Sequence, residues 1–146
     1  MCFFLPTVSG TFIPLADRVW GYNQAGALVT ATADPAAFDA LPAVCCVGMA
    51  HGFKIDFVAE VAGRIREVRH LEAMRALSSF VRFDLLPAVG ERLERTVDCF
   101  TACGSVTLAH EDQRQLQADC AVVRKLNESM WIVDDDDSSG ECELRQ

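Results

Sequence analysis

Several features that would point to a familiar class of protein are missing from this sequence. None of the seven cysteines belongs to a C-x-x-C pair, and the three histidines fall at no metal-ligand spacing. We therefore predict no metal site and no cofactor. No apolar run reaches the roughly 18–20 residues that cross a bilayer. Basic and aromatic residues are nowhere clustered, which argues against a nucleic-acid partner.

The N-terminus has no basic residue before Arg18 and no small-residue cleavage site, so it does not look like a secretory signal. We expect a soluble, cytoplasmic chain with no membrane partner. In that reducing compartment, Cys45, Cys46 and Cys120 are predicted to be buried apolar side chains. A catalytic role for Cys46, five residues from His51, is the minor alternative.

The negative charge is concentrated at the end of the chain. The net charge of the 146 residues is −8, and the last thirteen, DDDDSSGECELRQ, contribute six acids and one arginine. A run of this kind is typical of a solvated, disordered tail. We divide the chain into an N-terminal arm (residues 1–15), one folded domain (16–133) and an acidic tail (134–146).

Hydrophobic patterning predicts a single long helix among strands. The helix is expected from Val47 through Gly63 and onward to about Arg69, because this stretch is apolar around almost its whole circumference. Residues 35–46 are predicted to be a loop with one short helical turn, and residues 87–91 a turn. Six strands are predicted, at 17–22, 27–34, 78–84, 92–100, 105–110 and 116–123, with a turn at 23–26 between the first two. The order β-β-α-β-β-β-β indicates the α+β class, an antiparallel β-sheet wrapped around the helix.

Four ionisable residues interrupt the predicted helix. Asp56 and Glu60 are spaced i,i+4, and His51 and Lys54 are spaced i,i+3 on roughly the opposite side. Structural roles suffice for three of them: Glu60 pairs with Arg64, His51 caps the helix, and Lys54 extends toward solvent. Asp56 lies among apolar neighbours, where an unpaired carboxylate would cost several kcal/mol if buried. It is therefore the strongest candidate for an acid–base group.

The segment Ile55–Gly63 resembles the central-helix motif of the β-hydroxyacyl-ACP dehydratases, in which an acidic residue, apolar residues, a glutamine and small residues follow in order. Two flanking stretches are similar to the same family: Pro14–Val19, ending in Asp-Arg-Val, and Val81–Phe83 followed by Pro87–Leu93. Ala40–Ala43 resembles the loop of a subgroup associated with aryl-polyene biosynthesis. The resemblance implies the hotdog fold, with its sheet wrapped around one long central apolar helix.

The resemblance also implies a function. It implies a dimer, formed as a homodimer or as a heterodimer with a related hotdog subunit, and an acyl-ACP or acyl-CoA thioester as substrate. The acidic catalytic residue carries over to Asp56, and Glu60 stands at the glutamine position. Phe53 and Phe57 are expected to line the acyl tunnel with Glu60 as substrate-binding residues.

The family's histidine motif, Gly-His-Phe-Pro-Gly, is absent, and Pro42 occupies the histidine position. His51, in a His-Gly pair similar to that of the hydratase branch, is the candidate second catalytic group. Three functions follow: a 3-hydroxyacyl-thioester dehydratase or hydratase of fatty-acid or polyketide-type biosynthesis, a catalytically degenerate acyl-binding or heterodimer subunit, and an acyl-thioesterase.

Overall fold

The computed structural model describes residues 12–41 and 50–134. Its elements, in chain order, are α1 (Ile13–Trp20), α2 (Gln24–Ala33), α3 (Pro35–Asp39), β1 (His51–Asp56), β2 (Gly63–Val68), α4 (Leu71–Arg75), β3 (Phe80–Asp84), β4 (Arg92–Leu93), β5 (Ser105–His110), α5 (Gln113–Asn127) and β6 (Trp131–Asp134). The α+β class with antiparallel sheets is confirmed. Among the described residues, none of the helices combines the length and apolar character that a bilayer crossing requires.

The described strands form two antiparallel sheets of three strands each. The first sheet has the order β1-β5-β3, with Ile55 opposite Val106 and Asp56 opposite Ser105. The second sheet has the order β4-β2-β6. β5 is the central strand of the first sheet and is buried on both faces over most of its length.

One hydrophobic core joins both sheets to α5. Val106 and Leu108 of β5, Ile65 of β2 and Leu116 of α5 all lie in it with almost no exposure. Because strand side chains alternate between faces, each sheet contributes every second residue to this core. The opposite face of the first sheet is partly covered by α1, whose Leu15 is buried.

The two strands predicted in residues 17–34 are wrong, because this region forms helices α1 and α2. Pro14 lies in the first turn of α1, and Gly21 ends that helix at φ 79°, a backbone conformation that glycine adopts at little cost. Asn23, predicted to start a turn, is instead the N-cap of α2: its side-chain oxygen accepts a hydrogen bond from the Gly26 amide at 2.8 Å. The short helical turn predicted within residues 35–46 is confirmed and lies at Pro35–Asp39, as α3.

The long central helix is also wrong. The segment assigned to it holds β1, a connection over residues 57–62, and β2; residues 42–49, which include its predicted start, lie outside the described residues. An apolar run with no clear period fits a strand covered on both faces as well as it fits a buried helix. Gly52, Phe53 and Ile55 favour the strand, since glycine weakens helices and aromatic or β-branched residues pack well in sheets.

In the second half of the chain, the four strand predictions have three different outcomes. The strands predicted at 78–84 and 105–110 are confirmed as β3 and β5. The strand predicted at 92–100 is reduced to Arg92–Leu93. The strand predicted at 116–123 is wrong, because these residues lie within α5, whose N-cap is Asp112. The longest helix described therefore follows β5.

Candidate functional site

Asp56 lies at the end of β1 and is paired with a cation on its own strand. Lys54, two residues earlier, has its ammonium group against the Asp56 carboxylate. The Asp56 side chain is 48% exposed and that of Lys54 is 16% exposed. Lys54 Nζ also lies 5.6 Å from the centroid of the Phe12 ring, a cation–π contact with the residue that precedes α1. Asp56 is thus neither buried nor unpaired.

His51 lies at the opposite end of the same strand. At about 3.3 Å per residue, the five steps from His51 to Asp56 separate their Cα atoms by roughly 17 Å. Residues an odd number of positions apart in a strand also project from opposite faces. His51 is exposed, opposite His110 of β5. The structure therefore does not bring the two predicted catalytic side chains together within one chain.

The three predicted substrate-binding residues are placed apart from one another. Phe57 is completely buried in the core, with its ring centroid 6.2 Å from that of Phe83. Phe53 is 46% exposed on β1, opposite Leu108, and Glu60 is exposed in the connection between β1 and β2. Phe57 acts as a core residue here, and these three side chains do not outline a common tunnel.

Asp56 belongs to a larger group of polar side chains on one face of the first sheet, which we call the polar face. Residues directly opposite each other in antiparallel strands share a face. The polar face therefore holds two cross-strand rows, Asp56–Ser105–Asp84 and Lys54–Thr107–Arg82.

The charges on the polar face compensate each other. Arg82 Nε donates to Asp84 Oδ1 at 2.7 Å, and the pKa of Arg82 is raised by this hydrogen bond and, to a lesser extent, by the charge of Asp84. The Asp84 side chain is only 5% exposed, and the Thr107 hydroxyl donates to it at 3.4 Å. Each carboxylate thus has its own cation two residues away. Each ion pair lies within a single strand, and the Thr107–Asp84 hydrogen bond joins β5 to β3. The two rows contain no unpaired acid or base.

The described residues contain no metal-binding cluster, and their buried thiols are not activated. No group of three or more histidine, cysteine, aspartate or glutamate side chains in residues 12–41 and 50–134 could hold a metal ion. Burial raises the pKa of the Cys103 and Cys120 thiols, which disfavours the reactive thiolate. The predicted burial of Cys120 is confirmed. Cys45 and Cys46 lie outside the described residues.

Two depressions of the described surface are open and lie away from the predicted site. One, of about 420 Å³, is lined by residues 67–73 and includes His70. The other, of about 250 Å³, lies between Leu85 and residues 92–94 and 101–103. Neither contains His51, Asp56, Phe53 or Phe57.

Sequence reasoning missed a buried carboxylate with three hydrogen-bond donors, Asp119. This side chain of α5 accepts hydrogen bonds from the Ser79 amide at 3.1 Å, Gln115 Nε2 at 2.9 Å and the Ser78 hydroxyl at 3.3 Å. Burial opposes its ionisation, but the hydrogen bonds from Ser79, Gln115 and Ser78 outweigh burial and lower the pKa of Asp119. Asp119 anchors α5 to the start of β3, which is a structural role. An aspartate within the apolar stripe of α5 was the available signal.

Comparisons of the chain with protein-family models, with curated proteins and with solved structures find no match. The family, the substrate and the partner expected from the resemblance therefore stay predictions. Function has to be argued from the geometry of the described residues.

Proposed function

We propose that this chain is an assembly subunit that works by associating with another protein chain and carries no complete acid–base site of its own. Of the functions raised by the sequence, this is the degenerate-subunit alternative. One observation carries it: Asp56 is half-exposed and paired with Lys54, while His51 projects from the other face of β1, five residues away. An acid and a base separated in this way cannot act on the same carbon atoms.

Symmetric pairing of two copies along β1 would not bring His51 of one copy to Asp56 of the other. β1 is an outer strand of the first sheet, so a second copy could in principle add its own β1 there. A two-fold axis perpendicular to the sheet keeps each residue on the same face in both strands. His51 would then meet the partner copy's residues of its own face, such as 53 or 55. Asp56 lies on the other face and stays out of reach.

The surroundings of the candidate residues also favour assembly over acyl binding. An acyl chain requires a largely apolar, enclosed pocket that buries most of the ligand. Phe57 is instead packed into the core, and the open depressions described above lie elsewhere. The hotdog arrangement expected from the resemblance has no support in the described residues either, because the segment assigned to its central helix forms β1 and β2.

The test is a thioester assay with purified protein. A 3-hydroxyacyl-pantetheine and its enoyl counterpart are incubated with the chain, and hydration, dehydration and release of free pantetheine are followed. We expect none of these reactions. The Asp56→Asn variant should match the wild type, as should a Lys54→Met variant, which removes the cation and keeps the aliphatic stem.

The opposite result is well defined. Hydration or dehydration by the wild type that disappears in Asp56→Asn and persists in Lys54→Met would contradict the proposal. It would establish the chain as a dehydratase or hydratase. Pantetheine release with the same dependence on Asp56 would establish the thioesterase reading. Both variants alter a partly exposed ion pair, so neither is expected to unfold the protein.

A further inference from the structure

Helix α2 turns its larger apolar side chains away from the rest of the described chain. Ala25, Leu28, Val29 and Thr32 have the spacing i, i+3, i+4, i+7 and form one stripe, which we call the outer stripe. All four are exposed, Leu28 at 64% and Val29 at 65%. The small side chains of the opposite side, Ala27, Thr30 and Ala31, are the half-buried ones. Amphipathic helices of globular proteins normally have the reverse orientation.

This arrangement leaves α2 without enough support from the described residues. A helix of ten residues is shorter than the roughly 12–15 residues at which isolated helices become even marginally stable in water. None of its residues is buried, and its main neighbour is the five-residue α3. Its internal stabilisation consists of the Asn23 cap and of threonine hydroxyls bonded to carbonyls one turn earlier. A partner that covers the outer stripe would supply the missing packing.

We propose that two copies of this chain associate through the outer stripes of their α2 helices, in an antiparallel, two-fold arrangement. This inference rests on the proposed function and names the partner as a second copy. The outer stripe runs small, large, large, small from Ala25 to Thr32, so it has the same pattern when it is turned by 180°. In an antiparallel pair, Leu28 faces Val29 of the other copy, and Ala25 faces Thr32. A two-fold interface requires this kind of self-complementarity.

The charge distribution favours the same surface. The chain carries a net charge of −8, concentrated in its last thirteen residues, and two copies of like charge meet with least repulsion at an uncharged surface. Residues 19–33, which include all of α2, contain no Asp, Glu, Lys, Arg or His. Asp34, the C-cap of α2, would lie near the N-terminal end of the other copy's α2. A negative charge is favourable there, because the helix dipole is positive at that end.

The expected association is weak. Leu28 and Val29 each expose about two-thirds of their surface, on the order of 100 Å² apiece. With their smaller neighbours, two ten-residue helices bury less than the roughly 1,200 Å² of a standard interface. The dimer should therefore dissociate on dilution. Substitution of a central residue acts twice in a two-fold dimer, so Leu28→Asp should raise the dissociation constant at least ~100-fold.

Sedimentation velocity of the full chain over a wide range of concentrations tests the inference. The wild type should shift from monomer to dimer as its concentration rises, and Leu28→Asp should stay monomeric. Val122→Asp on α5 is the matched control: it also replaces an exposed aliphatic side chain of a helix by aspartate, but outside the outer stripe, and should dimerise like the wild type. Far-ultraviolet circular dichroism checks that each variant keeps its helices.

A mixing experiment tests the antiparallel register. Leu28→Asp and Val29→Lys should each be monomeric alone, and a mixture of the two should form a heterodimer, because the introduced carboxylate then faces the introduced ammonium. A wild type that is monomeric at every concentration would overturn this inference. A dimer that survives Leu28→Asp, or a mixture that does not associate, would also overturn it. None of these results is thioester turnover, which alone contradicts the proposed function.

Discussion

Replacement of Gly52 in β1 tests how the N-terminal helices are held on the sheet. An ideal Cβ on Gly52 would lie 2.9 Å from Val19 Cγ2, 3.1 Å from Leu15 Cγ and closer still to Leu15 Cδ1. Carbon atoms in contact prefer about 3.5–4.0 Å. The absence of a side chain at this position therefore allows α1 to lie directly on the first sheet.

The cost of replacing Gly52 depends on the interactions that hold α1 on the sheet. Overpacking by one or a few methyl groups costs about 1–3 kcal/mol. Burial of Leu15 stabilises the docked helix by about 1.5–3 kcal/mol, and the contact between Lys54 and Phe12 adds about 0.5–1 kcal/mol. We expect Gly52→Ala to cost about 1–2 kcal/mol and Gly52→Val to approach the full docking energy, so that α1 separates from the sheet.

Urea denaturation combined with hydrogen exchange separates this mechanism from a general loss of stability. In a strand without α1, valine in place of glycine would be stabilising, since glycine weakens strand interiors and valine favours them. Gly52→Val should lose the hydrogen-exchange protection of the α1 amides and keep that of the β5 amides.

Leu15→Ala provides the control, because it removes the side chain that the new Cβ would strike. In that background Gly52→Val should cost at least about 1 kcal/mol less than in the wild type, as expected for residues in contact. A Gly52→Val variant with wild-type stability and protected α1 amides would refute this account of the docking.

Three further predictions concern other parts of the fold. Asp119→Asn should lower the free energy of unfolding by about 1–3 kcal/mol at neutral pH. Because the pKa of Asp119 is lowered in the folded chain, its stabilising contribution is present above the pKa that it has in the unfolded chain and is lost in acid. Urea titrations at a series of pH values should therefore show the difference between variant and wild type shrinking as the pH falls, and a pH-independent difference would contradict this. Gly63→Ala should destabilise by more than about 1 kcal/mol, measured by urea denaturation, because Gly63 has φ 147° and its Cβ would lie 2.5 Å from the Asp134 carbonyl oxygen. Gly26→Ala, in contrast, should raise the denaturation midpoint, with a gain of about 0.5–1 kcal/mol, since only the Asn23 side chain lies nearby, at 3.5 Å or more; a lower midpoint would count against the helical assignment of α2.

β3 and β5 could be predicted because their local sequence already indicates a strand and which residues are buried. β5, Ser105–His110, is bounded by Gly104 and by a polar stretch, and it is rich in residues that pack well in sheets. β3 alternates, with Phe83 toward the core and Arg82 and Asp84 on the polar face. In both cases period, length and flanking residues agree, so the local signal and the tertiary structure do not conflict.

The N-terminal helices could not be predicted from residue preference, because Val29, Thr30 and Thr32 favour strands. The deciding information is in the caps. Pro14, Gly21 and Asn23 mark a helix start, a helix end and a second helix start. The same residues also suit turns between strands, so their composition supports both readings. The hydrogen bond from the Gly26 amide to Asn23 distinguishes them, and only a folded structure shows it.

α5 was missed for a different reason. Leu116, Cys120 and Val123 follow the helical period, but Asp119 occupies the same buried stripe. A carboxylate inside an apolar stripe argues against a helix face that packs on a core, unless its hydrogen-bond partners are known. Two of those partners, Ser78 and Ser79, lie about 40 residues earlier in the chain. No local pattern could supply them.

The candidate site depended on the same assignment of period. On a helix, His51 and Asp56 would lie about 140° apart and within about two turns of each other, whereas on β1 they project from opposite faces. The sequence favours Asp56 as an acid–base group because an unpaired carboxylate among apolar residues would be costly to bury. The expected burial of Asp56 depends on the predicted helix as well. With Asp56 paired to Lys54 and 48% exposed, this expectation no longer holds. At α2, in contrast, Leu28 and Val29 face water on a helix too short to be stable alone. This exposure supports the proposed association through the outer stripe, whereas the placement of His51 and Asp56 does not support acid–base chemistry within one chain.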